Sequence, residues 1–520
     1  MLRTVIAFQG FFNRHGFLKS FFLCIFSAIL LTLSFPKTDF WILAWFALVP
    51  FLLALDGKSL GISVFLGYLT GITFFCWTLY WFIHVTLPGA ALLIAYLAVY
   101  FAIFSFGYFF FQRRLLFGKI FLLPALWVSL EFIRGHLLSG FGWVSLGHSQ
   151  YKNLPFIQIA DITGAYGISF LVAMVNVFLK EIITKGPWSK ARALKDFLYP
   201  AGMIVLLLAM VFVYGIFRLL EKKDFPRARV TIVQGNVAQE LKWESGQWPG
   251  IMQRYLFLTR VAAGEKPDII IWPETAFPGF IWESPELFEA LREFVAKLKI
   301  PLLLGVVTQR NEEYYNSALL IDSAGNVAKQ HDKLHLVPFG EYIPLRRLLP
   351  FLSVIVPIGD FTPGAKYTLF PVLPQKTRQN FSVLICFEDT VPKVSRQFTK
   401  EGAHLLVNIT NDAWFQDTKA PFIHLQAALF RAVENRRSLV RSTNTGVSCF
   451  IDPYGRIQKY VEDKKGQKTY TPGHASMEVL LSDTGTFYTK HGDIFTYLCF
   501  GSILMGMMRR KKSKRRNFKD

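Results

Sequence analysis

Apolar residues crowd into the first 220 positions and then give way to short alternating runs, so the chain reads as two differently built parts. A helix that crosses the hydrocarbon core of a bilayer needs about 20 mainly apolar residues. Stretches of that kind lie at 20–36, 39–55, 59–83, 86–112, 116–134, 157–179 and 197–217, and a shorter uncharged one runs from Ile494 to Met508. The pattern predicts a multi-pass helical membrane domain of eight spans: seven within residues 1–219 and an eighth at 491–508. Gly67 and Gly71 form a G-x-x-x-G pair in the third span, which predicts close packing against a neighbouring helix.

Between these parts, in 220–490, the periodicity shifts. Runs rich in β-formers occur at Arg229–Val237, Asp268–Trp272, Pro301–Val307, Tyr315–Asp322, Phe381–Cys386, Ala403–Ile409 and Leu439–Ile451. Helical stretches interleave with them at 284–298, 391–401 and 420–437, which predicts an α/β layer architecture. Ser323-Ala324-Gly325-Asn326 and Pro453-Tyr454-Gly455 are expected to be hairpin turns.

Composition sharpens the membrane reading. Only 18% of the 520 residues are charged, against about 25% in soluble proteins, which argues against a disordered chain or an ordinary soluble enzyme. The net charge is +21, and its placement predicts topology, because short cytoplasmic loops carry the Lys/Arg excess. Arg3, Arg14 and Lys19 precede the first span, and alternate loops carry Lys58, then Arg113, Arg114 and Lys119, then Lys180, Lys185, Lys190, Arg192 and Lys195. The loops between them are nearly free of basic residues, and the tail at 509–520 is densely basic. Both termini are therefore expected in the cytoplasm and 220–490 on the opposite side. The first span lacks an A-x-A-like cleavage site and is expected to be retained. The Arg509–Arg516 run has no aromatic interleaving, so anionic lipid rather than nucleic acid is its expected partner. Cys24, Cys76 and Cys499 fall in apolar spans, and a Cys386–Cys449 bridge is the competing reading for the remaining two cysteines.

Candidate chemistry lies just past strand ends, where a rigid sheet holds a polar group at its rim. Ile269-Ile270-Ile271-Trp272 runs into Pro273-Glu274, Ser382-Val383-Leu384-Ile385 into Cys386-Phe387-Glu388-Asp389, and Val327–Gln330 into His331-Asp332-Lys333. Should a Cys, a Lys and a Glu meet, the carboxylate can take the thiol proton while the ammonium favours the thiolate and then the oxyanion of a tetrahedral intermediate. Spacing alone does not join three separated residues. His331 and His335 would suit a metal only on a helix; a loop is expected there, and no metal. No phosphate-binding or dinucleotide fingerprint occurs, so no cofactor is expected.

Trp272-Pro273-Glu274, Lys333 and Cys386-Phe387-Glu388 together resemble the Glu–Lys–Cys constellation of the nitrilase (carbon–nitrogen hydrolase) superfamily. The whole chain resembles, more closely, the apolipoprotein N-acyltransferase family. That likeness rests on Glu131-Phe132-Ile133-Arg134, Gly140-Phe141-Gly142-Trp143, Ser149-Gln150, Val233-Gln234-Gly235-Asn236 and Lys242-Trp243. It continues through Tyr315-Asn316-Ser317, Pro338-Phe339-Gly340-Glu341-Tyr342-Ile343-Pro344, Thr410-Asn411-Asp412-Ala413-Trp414-Phe415 and Arg431-Ala432-Val433-Glu434. The resemblance implies a nitrilase-like α-β-β-α sandwich as an extracytoplasmic catalytic domain in the periplasm, beside a membrane domain in the bacterial inner membrane, the chain acting as a monomer.

It further implies an acyl transfer from a phospholipid, through a cysteine thioester, to the α-amine of the diacylglyceryl-cysteine of an apolipoprotein. Glu274 is then the general base, Lys333 the stabiliser of thiolate and oxyanion, and Cys386 the nucleophile. Glu341, Glu388 and Phe387 are supporting residues, and Trp243, Tyr342 and Asn316 are substrate contacts; Arg134, just beyond a span, is expected either to bind a phospholipid phosphate or to anchor at the membrane interface. Phe387 stands where a Tyr is expected in some members, so a role for a phenol hydroxyl there is not carried over.

Burying one CH₂ is worth ~0.8 kcal/mol, so acyl chains must reach the thiol along an apolar path. Ile343–Gly359, with Phe351 and Val354, and Phe277–Trp282 are accordingly expected to be lids dipping toward the bilayer; a local satellite core is the alternative. Two rival functions keep the same sequence features in view: a membrane-tethered nitrilase-like amidase or hydrolase, and a noncatalytic transporter or scaffold.

Overall fold

The computed structural model describes residues 2–112, 114–185, 191–221, 223–338, 340–342, 360–372 and 379–516, with side chains left aside at 2–15, 185, 191–196 and 509–516. The proposed lid Ile343–Gly359, including Phe351 and Val354, and residues Arg113, Lys190 and Phe339 lie outside the described residues. The chain divides into a helical unit (Met1–Ile83, Leu87–Phe217, Asp493–Asp520) and an α/β unit (His84–Thr86, Arg218–Gly492).

Among the described residues, six helices are long and apolar enough to cross a membrane: Gly16–Leu33, Leu60–His84, Leu87–Phe111, Leu116–Arg134, Ala165–Thr184 and Phe197–Leu220. The expected second span is instead broken, as a 3₁₀ turn Trp41–Leu43 followed by helices Ala44–Ala47 and Val49–Leu55. Pro50 lies in the first turn of the last piece, where its missing N–H is tolerated and the helix restarts. The expected sixth span likewise begins in pieces, Leu154–Ile157 and Ala160–Thr163, before Gly164 turns the chain at φ +65° into Ala165–Lys185. Ile494–Met508 is apolar but shorter than the six. At Gly67 and Gly71 an added Cβ would lie 2.2 Å from Ser105 Oγ and 2.8 Å from Ala98 Cα, so helix Leu87–Phe111 packs directly on this stripe.

Among the described residues, the α/β unit has two six-stranded sheets. The first has the order β12-β1-β2-β3-β4-β5. Its strands are β1 (Arg227–Gln234), β2 (Ile269–Ile271), β3 (Leu302–Arg310), β4 (Glu313–Ile321), β5 (Val327–Asp332) and β12 (Gly473–Leu480). The second has the order β11-β10-β9-β8-β7-β6. It comprises β6 (Leu369–Pro371), β7 (Asn380–Ile385), β8 (Ala403–Thr410), β9 (Ser438–Thr443), β10 (Cys449–Ile451) and β11 (Ile457–Tyr460). The sheets face each other across one core that joins Ile232, Ile271, Leu303 and Ala318 to Phe381, Val383, Val407 and Val440.

Ile270, Leu302 and Leu304 point the other way, into a second core with Tyr255, Leu291 and Val295 from helices Trp248–Ala263 and Pro285–Leu298. Helices Pro392–Lys400 and Ala420–Asn435 pack against β8 and β9 on the far side, which completes α-β-β-α layering. Both faces of the central strands are buried, which is why β2 is an unbroken Ile-Ile-Ile rather than an alternating run. The run expected as one strand at Leu439–Ile451 is two antiparallel strands, because Asn444-Thr445-Gly446 turns the chain between β9 and β10.

Candidate active site

Three strand ends deliver the candidate residues to one rim. After β2, the Pro273-Glu274 turn docks on β3: Gly305 N–H donates to the Pro273 carbonyl at 3.0 Å, and Ala276 N–H to the Gly305 carbonyl at 2.9 Å. A Cβ at Gly305 would come within 2.5 Å of Glu274 Cα, so this approach requires glycine. Lys333 directly follows β5, and its N–H donates to the Asn316 carbonyl of β4 at 2.8 Å. β7 runs directly into Cys386, the first residue of a 3₁₀ turn Cys386–Thr390, held at φ +53°. From the adjacent β8, Asn408 Nδ2 donates at 3.1 Å to the carbonyls of both Leu384 and Cys386, fixing the peptide that carries the sulfur.

Electrostatics follows from this convergence. Lys333 Nζ lies 2.8 Å from Glu341 Oε1 and 3.6 Å from Glu274 Oε1, and Asn316 Nδ2 donates to both carboxylates at 2.8 Å. Lys333 is 1% exposed, which works against its charge, yet Glu341 and Glu274 hold the ammonium well above the usual lysine range. Burial and then the Glu274 charge push the Cys386 thiol well above its ordinary value, while Lys333 and the Thr410 hydroxyl pull it down. Burial and Glu274 thus favour the thiol form of Cys386, and Lys333 favours the thiolate.

Glu388 is fully buried and serves as a clasp. Its Oε1 accepts from the N–H groups of Leu334 (2.6 Å) and His335 (3.0 Å), and its Oε2 from that of Ile385 (2.7 Å). One side chain thus ties the segment after Lys333 to the strand before Cys386. Burial pushes its carboxyl up to about 7 against those three donors.

The other sequence-derived candidates fall out differently. Asn316 lies in the carboxylate cluster, where its side-chain amide donates to both Glu274 and Glu341. Phe387 stacks on His335, ring centroids 6.0 Å apart. Trp243 is half-buried, with its ring centroid 5.6 Å from that of Phe280. Together with Tyr314, Phe361, Ala413 and Trp414 these two line a cleft of about 670 Å³. Tyr342 is half-buried and pairs through its backbone with Pro338. Of the second proposed lid, Phe277 belongs to the core, while Phe280 and Trp282 stack 4.6 Å apart nearer the surface.

Arg134, expected at a membrane interface, is 4% exposed inside the helical unit. There its guanidinium satisfies the Trp143 carbonyl and Ser145 Oγ at 3.0 Å each. His331 is not in a loop but on β5, where it is buried edge-on to Phe398 and burial drops its imidazole to about 4. Among the described residues no cluster of His, Cys, Asp and Glu is arranged for a metal, and Cys386 and Cys449 are free thiols.

Sequence reasoning assigned nothing to Lys242, Asn408, Asp389, Asp412, His424 or Arg441. Lys242 sits beneath Glu274: its buried Nζ donates to Thr275 Oγ1 at 3.2 Å and to the Glu274 carbonyl at 3.4 Å. Its signal was the Lys242-Trp243 pair, of which only the aromatic drew attention. Burial lowers the Lys242 ammonium to about 7, although Glu274 raises it.

An unfolded lysine titrates near 10.4, so between about 7 and 10 the folded chain binds fewer protons at this position than the unfolded one. The charge is thus a destabilising burden at and below pH 7 that fades as pH rises toward 10. Lys242→Met is expected to raise the Tm relative to the parent at pH 6, the gain shrinking by pH 9. The full burden is about 5 kcal/mol, less about 1 kcal/mol for each lost hydrogen bond. Thermal unfolding at the two pH values checks this; a Tm difference independent of pH contradicts it.

Comparison with known proteins places this architecture. A family model described as the apolipoprotein N-acyltransferase N-terminal domain matches residues 27–178, and the carbon-nitrogen hydrolase model matches residues 229–470. The apolipoprotein N-acyltransferase of Geobacter metallireducens is 37% identical, over 95% of this chain and 96% of that protein. That of Allorhizobium ampelinum is 32% identical over 84% of this chain and 86% of its own length. That of Chlorobaculum tepidum is 29% identical over 93% and 95%. With both matched parts in one polypeptide and relatives aligned nearly end to end, the chain belongs to the apolipoprotein N-acyltransferase family.

Proposed function

We propose that this membrane enzyme moves an acyl chain from a phospholipid to the N-terminal amine of a diacylated lipoprotein, with Cys386 as the covalent carrier. The observation that carries the mechanism is the meeting of Glu274, Lys333 and Cys386 at three strand ends, where Glu274 and Lys333 both act on the sulfur. Glu274 removes the thiol proton as Cys386 Sγ attacks the ester carbonyl, and the Lys333 ammonium compensates the oxyanion. Collapse breaks the ester C–O bond, Glu274 returns its proton to the leaving alkoxide, and a thioester and a lysophospholipid result. The lipoprotein amine then attacks the thioester and gives up a proton to Glu274. The C–S bond breaks, the amide forms, and the thiolate recovers the proton.

Glu341 and Asn316 hold the Lys333 and Glu274 side chains in place, and Glu388 fixes both loops. Trp243 and the aromatic cleft beside it suit an acyl chain, and Phe387 contributes packing and backbone alone. The topology that suits these substrates is eight spans in the inner membrane, with Trp41–Leu55 and Ile494–Met508 completing the six longer helices. Both termini are then cytoplasmic and the α/β unit periplasmic.

The test is mass spectrometry of the purified chain mixed with phospholipid alone. An acyl adduct on Cys386 is expected, discharged on adding a diacylated lipopeptide with recovery of N-acylated peptide. Discharge by water to free fatty acid, with the lipopeptide left unmodified, would assign a hydrolase instead.

A further inference from the structure

Behind the strand end that carries Cys386 lies a buried charged quartet that none of these steps uses. His424, from helix Ala420–Asn435, places Nε2 2.7 Å from Asp389 Oδ1 and Nδ1 2.9 Å from Asp412 Oδ1. Arg441 on β9 donates to Asp389 and brings a second guanidinium nitrogen within 3.8 Å of Asp412 Oδ2. All four side chains are at most 1% exposed. A neutral imidazole has one N–H and so could serve only one of these carboxylates; contact with both at hydrogen-bond distance calls for the imidazolium. In that form the quartet sums to zero: two carboxylates, one guanidinium and one imidazolium.

Two members of the quartet bear on the nucleophile. Asp389 belongs to the same turn as Cys386, Cys386–Thr390. Asp412 follows β8, the parallel neighbour of β7, and its charge opposes ionisation of the Cys386 thiol. We propose that His424 is a positioning residue for the nucleophile: its imidazolium neutralises the Asp389 and Asp412 charges behind the sulfur and pins the Cys386 turn to the end of β8. The groups facing His424 are Asp389 and Asp412, which favour its proton, and Arg441, which opposes it. Burial works against the charge as well, and the two carboxylates still hold the imidazole up to about 9. The groups facing the sulfur are Glu274, Lys333, Asp412 and Thr410. Removing the imidazolium leaves one uncompensated negative charge behind Cys386, so the thiol becomes harder to ionise and slower to react.

The inference rests on Cys386 being the nucleophile, but its readout does not depend on acyl transfer. The measurement is the iodoacetamide alkylation rate of Cys386 against pH, followed on its own peptide in the full-length protein in lipid vesicles. In His424→Gln the profile is expected to move upward by about one pH unit, an alkylation rate roughly tenfold lower at a fixed pH below the midpoint. The double variant His424→Gln, Asp412→Asn removes one charge of each sign and is expected to recover most of the parent profile; a merely structural loss would not be rescued by a second substitution. A folded His424→Gln protein with an unshifted profile, or a double variant as slow as the single one, overturns the proposal. Should His424→Gln fail to fold, Asp412→Asn carries the test near pH 6, where the imidazole keeps its proton: alkylation is expected to accelerate, and an unchanged or slower rate overturns the idea. Loss of the acyl adduct alone, with these shifts intact, would count against the acyl-transfer reading and not against the role of His424.

Discussion

Replacing Cys386 with alanine is expected to abolish both acyl-enzyme formation and N-acylation, a loss on the order of 10⁴–10⁶-fold, as nucleophile deletions in other enzymes give. Among the described residues of the α/β unit, one other thiol is present. Cys449 is fully buried in β10, and burial pushes its thiol up to about 12. Cys24, Cys76 and Cys499 belong to the helical unit. The substitution leaves the backbone demand unchanged, because alanine meets the same left-handed φ of +53° as cysteine, at a cost of roughly 1–2 kcal/mol. Glycine does not pay that steric cost. Cys386→Gly should therefore be as inactive as Cys386→Ala yet unfold at a higher temperature, which separates loss of the sulfur from loss of the fold. Acyl transfer by purified Cys386→Ala at the parent rate would remove the thioester from the mechanism.

That left-handed residue also marks what the sequence could disclose. An apolar run ending in Cys386-Phe387-Glu388 announces a strand whose last residue stands at a rim, and Ile269–Ile271 running into Glu274 announces another. Local pattern suffices for both, because burial on two faces demands unbroken apolar residues. Length and apolarity likewise reveal the long helices of the membrane part. Pro50 and Gly164 show the limit: an apolar stretch can be interrupted at a single residue without a change in mean composition.

Pairings between distant segments were hidden. β12 closes the first sheet by pairing antiparallel with β1, Arg227 opposite Leu480, and no local feature of Gly473–Leu480 announces that partner. Helix Trp248–Ala263 opens on Trp248-Pro249-Gly250, and proline in a first helical turn is favourable. The candidate site behaves in the same way. Glu274, Lys333 and Cys386 were legible only as members of an ordered set of motifs, since no single spacing connects them. His424 looked like any histidine on a helix; its meaning lies in Asp389 and Asp412, 35 and 12 residues away in sequence.

The second large effect is expected at Lys333. Lys333→Met removes the ammonium shared by Glu341 and Glu274 and leaves their two carboxylates, both hydrogen-bonded to Asn316, without that shared cation. Breaking a buried ion pair by deleting one partner typically costs about 3–5 kcal/mol, so the variant should unfold at a distinctly lower temperature. Catalysis should suffer twice. Losing one oxyanion donor costs ~2.7–4 kcal/mol in the barrier, a fall of roughly 10²–10³ in rate. The Cys386 thiol, already raised by burial and Glu274, also loses the Lys333 charge that lowers it, so its alkylation at fixed pH should slow as well. Arginine should not rescue the site, because its planar fork cannot occupy the place of a compact ammonium held 2.8 Å from Glu341. Single-turnover acylation separates the two losses. Raising the pH restores whatever part of the rate was lost to a scarcer thiolate, whereas the part lost to an unsupported oxyanion persists at every pH. A Lys333→Met enzyme that regains full activity in alkali would confine the lysine to tuning the thiol, and one that is fully active near neutrality would take it out of the chemistry.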